Sequence, residues 1–191
     1  MASQTVSALD HVRSDDAPAR ITMNGMVIEE LAACQKLVLR GHPDPQFIRA
    51  IAGCTGSPVP TGPDEPTADD PSCLPLGQTE WLITSTKRTG LVRELAAVVE
   101  NRHGAVFDAS AAWVALRLTG KHITSLLARG SNLDLHPREF PGGTHASTQL
   151  ARIPILLYRH ENVQGFDLYV DRSLAIDLWL WLRDTAKDMA I

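Results

Sequence analysis

Three structural signals follow one another without a gap between Val114 and Gly143, and the rest of the chain is arranged around them. Val114, Leu116 and Leu118 alternate with Ala115, Arg117 and Thr119, which predicts a strand with one apolar face. Ile123, Leu126 and Leu127 then fall at i, i+3 and i+4, with Gly130 behind them. That is the spacing of a short helix and its C-terminal cap. Asn132, Asp134, Pro137, Pro141, Gly142 and Gly143 follow as a turn region.

Upstream, residues 36–40 predict a strand stopped by Gly41. Asp44 and Pro45 then supply the N-cap and first turn of a helix. Phe47, Ile48, Ile51 and Ala52 form its stripe, and Gly53 is its expected end. The spacing over residues 21–31 is mixed and assigns no element. Residues 81–85 predict a strand, and residues 88–102 an amphipathic helix with Leu91, Leu95, Val98 and Val99 inward. A strand at 105–108 and the one beginning at Trp113 are separated by only four residues, which predicts a turn or a bulged bend.

Downstream, residues 145–151 and 153–158 predict two strands, and Pro154 demands an edge or a bulge. Residues 166–170 alternate as a hairpin partner, an alternation that turns Asp167 to solvent. The last helix is expected over 172–189, capped by Asp171 or Ser173. Leu174, Leu178, Trp181, Leu182 and Thr185 make one stripe, while Ile176, Trp179 and Leu180 lie on the other side. Apolar residues over most of the circumference imply burial on two sides. Either this helix is central to the fold, or one face meets another protein through residues such as Ile176, Trp179, Leu180 and Trp181.

Strands outnumber helices, and hairpins mix with crossovers. The expected class is α+β with mixed or antiparallel sheets rather than a doubly wound parallel sheet. Residues 1–19 are polar and are expected to form a flexible arm, with a single domain over 20–191. Six of the twelve prolines lie between Ser57 and Pro75 beside four acidic residues, which predicts a long surface loop without core partners. Such a loop is a tolerated insertion or a segment that orders against a partner.

Composition narrows the function. A net charge of −4 with no run of Lys or Arg longer than two residues argues against a nucleic-acid footprint. No segment reaches the ~20 apolar residues of a membrane helix, and the polar N-terminus lacks a signal core. A cytoplasmic location follows as the expectation. Cys34, Cys54 and Cys73 are odd in number and widely spaced, as expected of reduced, structurally silent thiols.

Known catalytic motifs are missing: there is no glycine-rich dinucleotide loop, Walker lysine loop, zinc-binding H-E-x-x-H or serine elbow. The seven histidines are scattered, and metal ligation is not expected of them. Gly53-Cys54-Thr55-Gly56 has no adjacent base and is expected to be a helix cap and loop. His136 and Arg138 form the best polar cluster, suited to a small anion or a partner carboxylate.

Residues 118–127 resemble the entry helix of the aminomethyltransferase, or glycine-cleavage T-protein, folate-binding fold. Four stretches resemble more specifically the gamma subunit of heterotetrameric sarcosine oxidase: residues 76–82, residues 108–110, residues 126–130 followed by 134–137, and Phe140-Pro141 through residues 156–159. The resemblance spans about Leu76 to Ala186 and, more loosely, reaches back to Leu31, with the arm and the Pro-rich loop outside it.

The resemblance implies a subunit of a flavoprotein complex of sarcosine catabolism, an oxidoreductase acting on CH–NH groups with oxygen as acceptor. Such a complex demethylates sarcosine to glycine with FAD, FMN and NAD. It yields hydrogen peroxide and 5,10-methylenetetrahydrofolate or formaldehyde. It also implies that the cofactors, tetrahydrofolate included, belong to partner subunits: larger flavin- and folate-binding chains and a small one.

Folate-dependent relatives carry an acidic pair on the strand that ends near residue 157, whereas residues 155–160 here read Ile-Leu-Leu-Tyr-Arg-His. The Lys-Gly-Cys-Tyr motif of folate-repair relatives is also absent. A non-catalytic structural subunit with no catalytic, cofactor or metal residues of its own is therefore the leading expectation. A folate-binding module with a weak pocket is the alternative. The expected interface residues are Trp179, Trp181, Ile176, Leu180, His136 and Arg138.

Overall fold

The computed structural model describes residues 7–12, 19–62, 65, 70–161 and 163–189. A six-stranded sheet contains β1 (Arg20–Met23), β2 (Met26–Glu30), β7 (Trp113–Gly120), β8 (His145–Leu150), β9 (Ile153–Arg159) and β10 (Gly165–Asp171), in the order β1-β2-β7-β10-β9-β8. A four-stranded sheet contains β3 (Gln35–Arg40), β4 (Ser72–Gly77), β5 (Glu80–Ser85) and β6 (Ala105–Asp108), in the order β4-β5-β3-β6. All strand pairings among the described residues are antiparallel, as expected for the α+β class.

Three apolar clusters set the layers. Met26, Ile28, Leu116, Leu118, Phe166 and Leu168 of the large sheet pack against α3 (Ile123–Leu127) and α4 (Ala175–Asp188). Leu37, Leu39, Trp81 and Ile83 of the small sheet pack against α1 (Pro45–Thr55) and α2 (Leu91–Val99). Leu74, Leu82, Ala115, Leu156, Tyr158 and Tyr169 lie between the two sheets. Helices therefore cover the outer faces and the sheets stack on their inner faces, in the order α/β/β/α. The apolar run at residues 155–158 now has its cause, because β9 is buried on both faces.

Local chemistry explains the helix ends. The Asp44 carboxylate accepts hydrogen bonds from the N–H groups of Gln46 (2.8 Å) and Phe47 (2.9 Å), satisfying two donors of the first turn. Helix α1 passes through Gly53, its expected end, and stops at Gly56, where φ is 74°. Gly53 weakens the helix by only ~1 kcal/mol, and the left-handed residue that ends it is three positions later.

Several expectations are corrected. The unassigned stretch at 21–31 forms the β1–β2 hairpin. The Pro-rich segment is not all surface loop: Val59 is buried, and the Trp81 indole N–H donates to the Pro60 carbonyl at 2.7 Å. Its end is strand β4, with Cys73 and Leu74 fully buried. Residues 63–64 and 66–69 of that segment lie outside the described residues. The short link after β6 is a turn, as expected, closed by the Ala112 N–H donating to the Ala109 carbonyl at 2.9 Å; what the spacing did not show is that it carries the chain from the small sheet to the large one. Pro154 is not on an edge strand. It is the second residue of β9, just beyond the last residue paired with β10, so its missing N–H breaks no ladder bond there. Of the expected arm, residues 1–6 and 13–18 lie outside the described residues, while Leu9 is fully buried in the core.

Candidate functional site

The stacked sheets leave an inner layer that opens at two ends. At one end Asp70, Thr86, Lys87, Arg117, His160 and Val163 line a polar mouth of about 180 Å³. At the other, Leu76, Trp113, Pro154, Ile155, Leu156 and Leu174 contribute to an apolar mouth of about 600 Å³.

The polar mouth is built on three strands. Arg117 and Asp167 are register partners on β7 and β10, and both project into the inner layer. Arg117 donates from Nε to Oδ1 and from Nη2 to Oδ2 of Asp167, each at 2.8 Å. His160 Nε2 lies 3.0 Å from the same Oδ1. The His160 backbone N–H donates to the Gly165 carbonyl, and its ring meets Tyr158 edge-on at 5.2 Å. Opposite, the Asp70 carboxylate accepts from the Thr86 N–H (2.9 Å) and hydroxyl (2.6 Å) and from the Ser85 hydroxyl. Deeper in the layer, Thr84 and Tyr169 hydroxyls bond at 3.0 Å, tying one sheet to the other.

Charge in this cluster is neutralised internally. Burial pushes the Asp167 carboxyl up, but its bonds to Arg117 and His160 outweigh that and hold it below the usual carboxylate range. Its hydrogen bonds to Asp167 push the Arg117 guanidinium above its ordinary value. An ionised carboxylate gripped at both oxygens has no proton to give at neutral pH and no free geometry for accepting one. A mouth of about 180 Å³ is also smaller than the ~300–1,000 Å³ of ordinary small-molecule sites. Burial likewise raises the thiols, Cys34 to about 11 and Cys73 to about 12, which leaves them poor nucleophiles. Among the described residues no group of three His, Cys, Asp or Glu side chains is placed to hold a metal ion. No helix among them is long and apolar enough to cross a membrane.

This cluster was missed on the sequence, where Asp167 was expected at the surface; it is 3% exposed. The available signal was one charge of each sign inside the apolar runs at residues 114–118 and 166–170. The residues expected to form an interface are dispersed instead. Trp179 is 3% exposed, in the core beneath α4, and is no surface anchor. Trp181 is half-buried over Gly130, where a Cβ would come within 2.6 Å of the indole. Ile176 and Leu180 are half-buried along α4. His136 and Arg138 are exposed in the loop after α3, where the Arg138 N–H donates to His136 Nδ1 at 3.3 Å. Leu135 and Phe140 anchor that loop, and Arg159 donates to both of their carbonyls from above the Phe166 ring.

The stacked-sheet architecture is similar in fold to part of an aminomethyltransferase. The glycine cleavage system aminomethyltransferase T of Bartonella henselae superposes with a TM-score of 0.60 over 84% of this chain and 46% of its own, at 14% identity. The family lies closer. The heterotetrameric sarcosine oxidase of Corynebacterium sp. U-96 contains a chain that superposes with a TM-score of 0.84, at 27% identity, over 97% of this chain and 96% of that one. Sarcosine oxidase subunit gamma from Corynebacterium sp. strain P-1 is 30% identical across 100% of this chain and 98% of the relative. The subunit from strain U-96 is 32% identical over 86% of this chain and 81% of its own. Residues 40–188 match the sarcosine oxidase gamma subunit family. The chain belongs to that family.

Proposed function

We propose that this chain is a structural subunit of a heterotetrameric sarcosine oxidase, holding larger flavin- and folate-binding chains in register while performing no chemistry itself. FAD, FMN, NAD and tetrahydrofolate would reside on those partners. The observation that carries the proposal is the self-neutralised Arg117–Asp167–His160 cluster. It occupies the polar mouth between the sheets with charges already paired. Similarity across nearly the whole length to a chain of a heterotetrameric complex supports the assembly role. Ile176, Leu180 and Trp181 on α4, with His136 and Arg138, remain the proposed contact residues, and Trp179 leaves the set.

The test is co-expression of the other subunits with and without this chain. The expected result without it is an unassembled or unstable complex with little sarcosine-dependent peroxide formation. An assembled, fully active complex lacking this chain would overturn the proposal. Saturable binding of tetrahydrofolate to the isolated chain would favour a folate-binding module instead.

A further inference from the structure

Among the described residues four strands lie at sheet edges, and three of them are blunted against pairing. Strand β1 has four residues and exposes Arg20, which pairs with Glu29 at 3.1 Å. Strand β4 carries Pro75 and a register shift between Pro75 and Gly77. Strand β6 has four residues and ends in exposed Asp108. Short length, charge, proline and bulges are the devices that keep an edge from recruiting another strand.

Strand β8 has none of them. It pairs with β9 through six consecutive residues without a shift, and His145–Leu150 contains no Lys, Arg, Asp, Glu, Pro or Gly. The Arg159 N–H donates to the Thr144 carbonyl at 2.9 Å. Antiparallel alternation from that pair aims the backbone groups of Ala146, Thr148 and Leu150 at β9, and those of His145, Ser147 and Gln149 away from the sheet. Space adjoins the edge on both sides, because Thr148 and Gln149 line two cavities. One is the apolar mouth with Leu76, Trp113 and Leu156. The other, about 560 Å³, carries Arg129 and Arg152. Both arginines are exposed, and neither has an ion-pair partner among the described residues.

We infer that β8 is a strand-addition site for an extended segment of another subunit of the complex. That segment lays an apolar side chain in the Trp113–Leu156 mouth and a carboxylate between Arg129 and Arg152. The inference rests on the subunit role proposed above. The occupant follows from charge: in a protein of net charge −4 these two arginines lack acidic partners among the described residues. A second copy of β8 carries no carboxylate to meet them. Main-chain bonds to an open edge supply affinity, and the flanking pockets supply selectivity.

The test is residue-resolved amide hydrogen exchange of this chain within the purified complex. The expected result is that the Ser147 and Gln149 amides exchange as slowly as the Thr148 amide. The paired substitutions Arg129→Glu and Arg152→Glu are expected to accelerate Ser147 and Gln149 by roughly 100-fold in complexes that still form, or to prevent this chain from co-purifying. Fast exchange of those two amides in the wild-type complex overturns the inference and leaves the subunit role standing. Equal protection in the chain purified alone as a dimer also overturns it, by making a second copy the occupant. Failure of this chain to enter any complex removes both the inference and the subunit role.

Discussion

Arg117 and Asp167 face each other across β7 and β10, joined by two 2.8 Å bonds, yet they are unequally placed. The arginine side chain keeps 32% of its surface in solvent, the aspartate 4%. Arg117→Ala leaves a buried carboxylate with His160 as its remaining partner, whereas Asp167→Ala leaves a guanidinium that still reaches water and removes one partner of the His160 ring. Breaking a buried pair from the side that leaves a charge stranded costs about 3–5 kcal/mol. Arg117→Ala is therefore expected near that range, and Asp167→Ala nearer 1–3 kcal/mol because solvent screens what remains. Urea unfolding of both variants measures the order, and equal or reversed costs would contradict it.

The same pair sets an acid limit. The Asp167 pKa is depressed in the folded chain, so its contribution is fully present above the unfolded carboxylate value of about 3.9. It is lost as pH falls through the lower folded value. Asp44, Asp70, Asp171 and Asp184 are shifted in the same direction. The prediction is thus a difference: below about pH 4 the stability of Asp167→Asn falls less steeply than that of the parent chain. Parallel acid limbs in unfolding experiments would remove Asp167 from the account.

On α4, neighbouring aromatic and aliphatic positions separate fold from assembly. Trp179→Ala is expected to cost about 3–5 kcal/mol in chain stability, the range for emptying an aromatic core site. Leu180→Ala, at a half-buried position, is expected to change chain stability by less than about 1 kcal/mol and to act on co-purification with partner subunits. Gly130→Ala drives a methyl into the Trp181 ring and is expected to cost about 1–3 kcal/mol. Thermal unfolding and pull-down of the same variants compare the two readouts.

The thiols give an inexpensive check on the stacking of the layers. Cys34 and Cys73 are buried and pushed up in pKa, while Cys54 is partly accessible on α1. Maleimide at neutral pH is expected to label Cys54 alone in the folded chain, and slowly, because burial raises that thiol as well. All three should react in denaturant. Rapid native labelling of Cys34 would mean that the inner layer opens more readily than its packing implies.

The sequence by itself determined the local elements whose signals are local. The Asp44–Pro45 start of α1, the short helix after β7, the β9–β10 hairpin and the α+β class with mixed or antiparallel sheets all follow from spacing and caps. Family membership was legible too, in stretches such as residues 126–137. The tertiary structure alone decided what covers the second face of each strand. A period of two separates the faces of β10 but cannot say that both are buried, so Asp167 read as solvent-facing until a second sheet was seen to stack over it. Strand β4 was hidden for a related reason. Its proline-rich approach looks like a loop, and only pairing with β5 and burial of Cys73 and Leu74 make it a strand. Burial of a face is a property of the partner layer, and the sheet stacked over Asp167 is built from strands within residues 35–108, far from it in sequence.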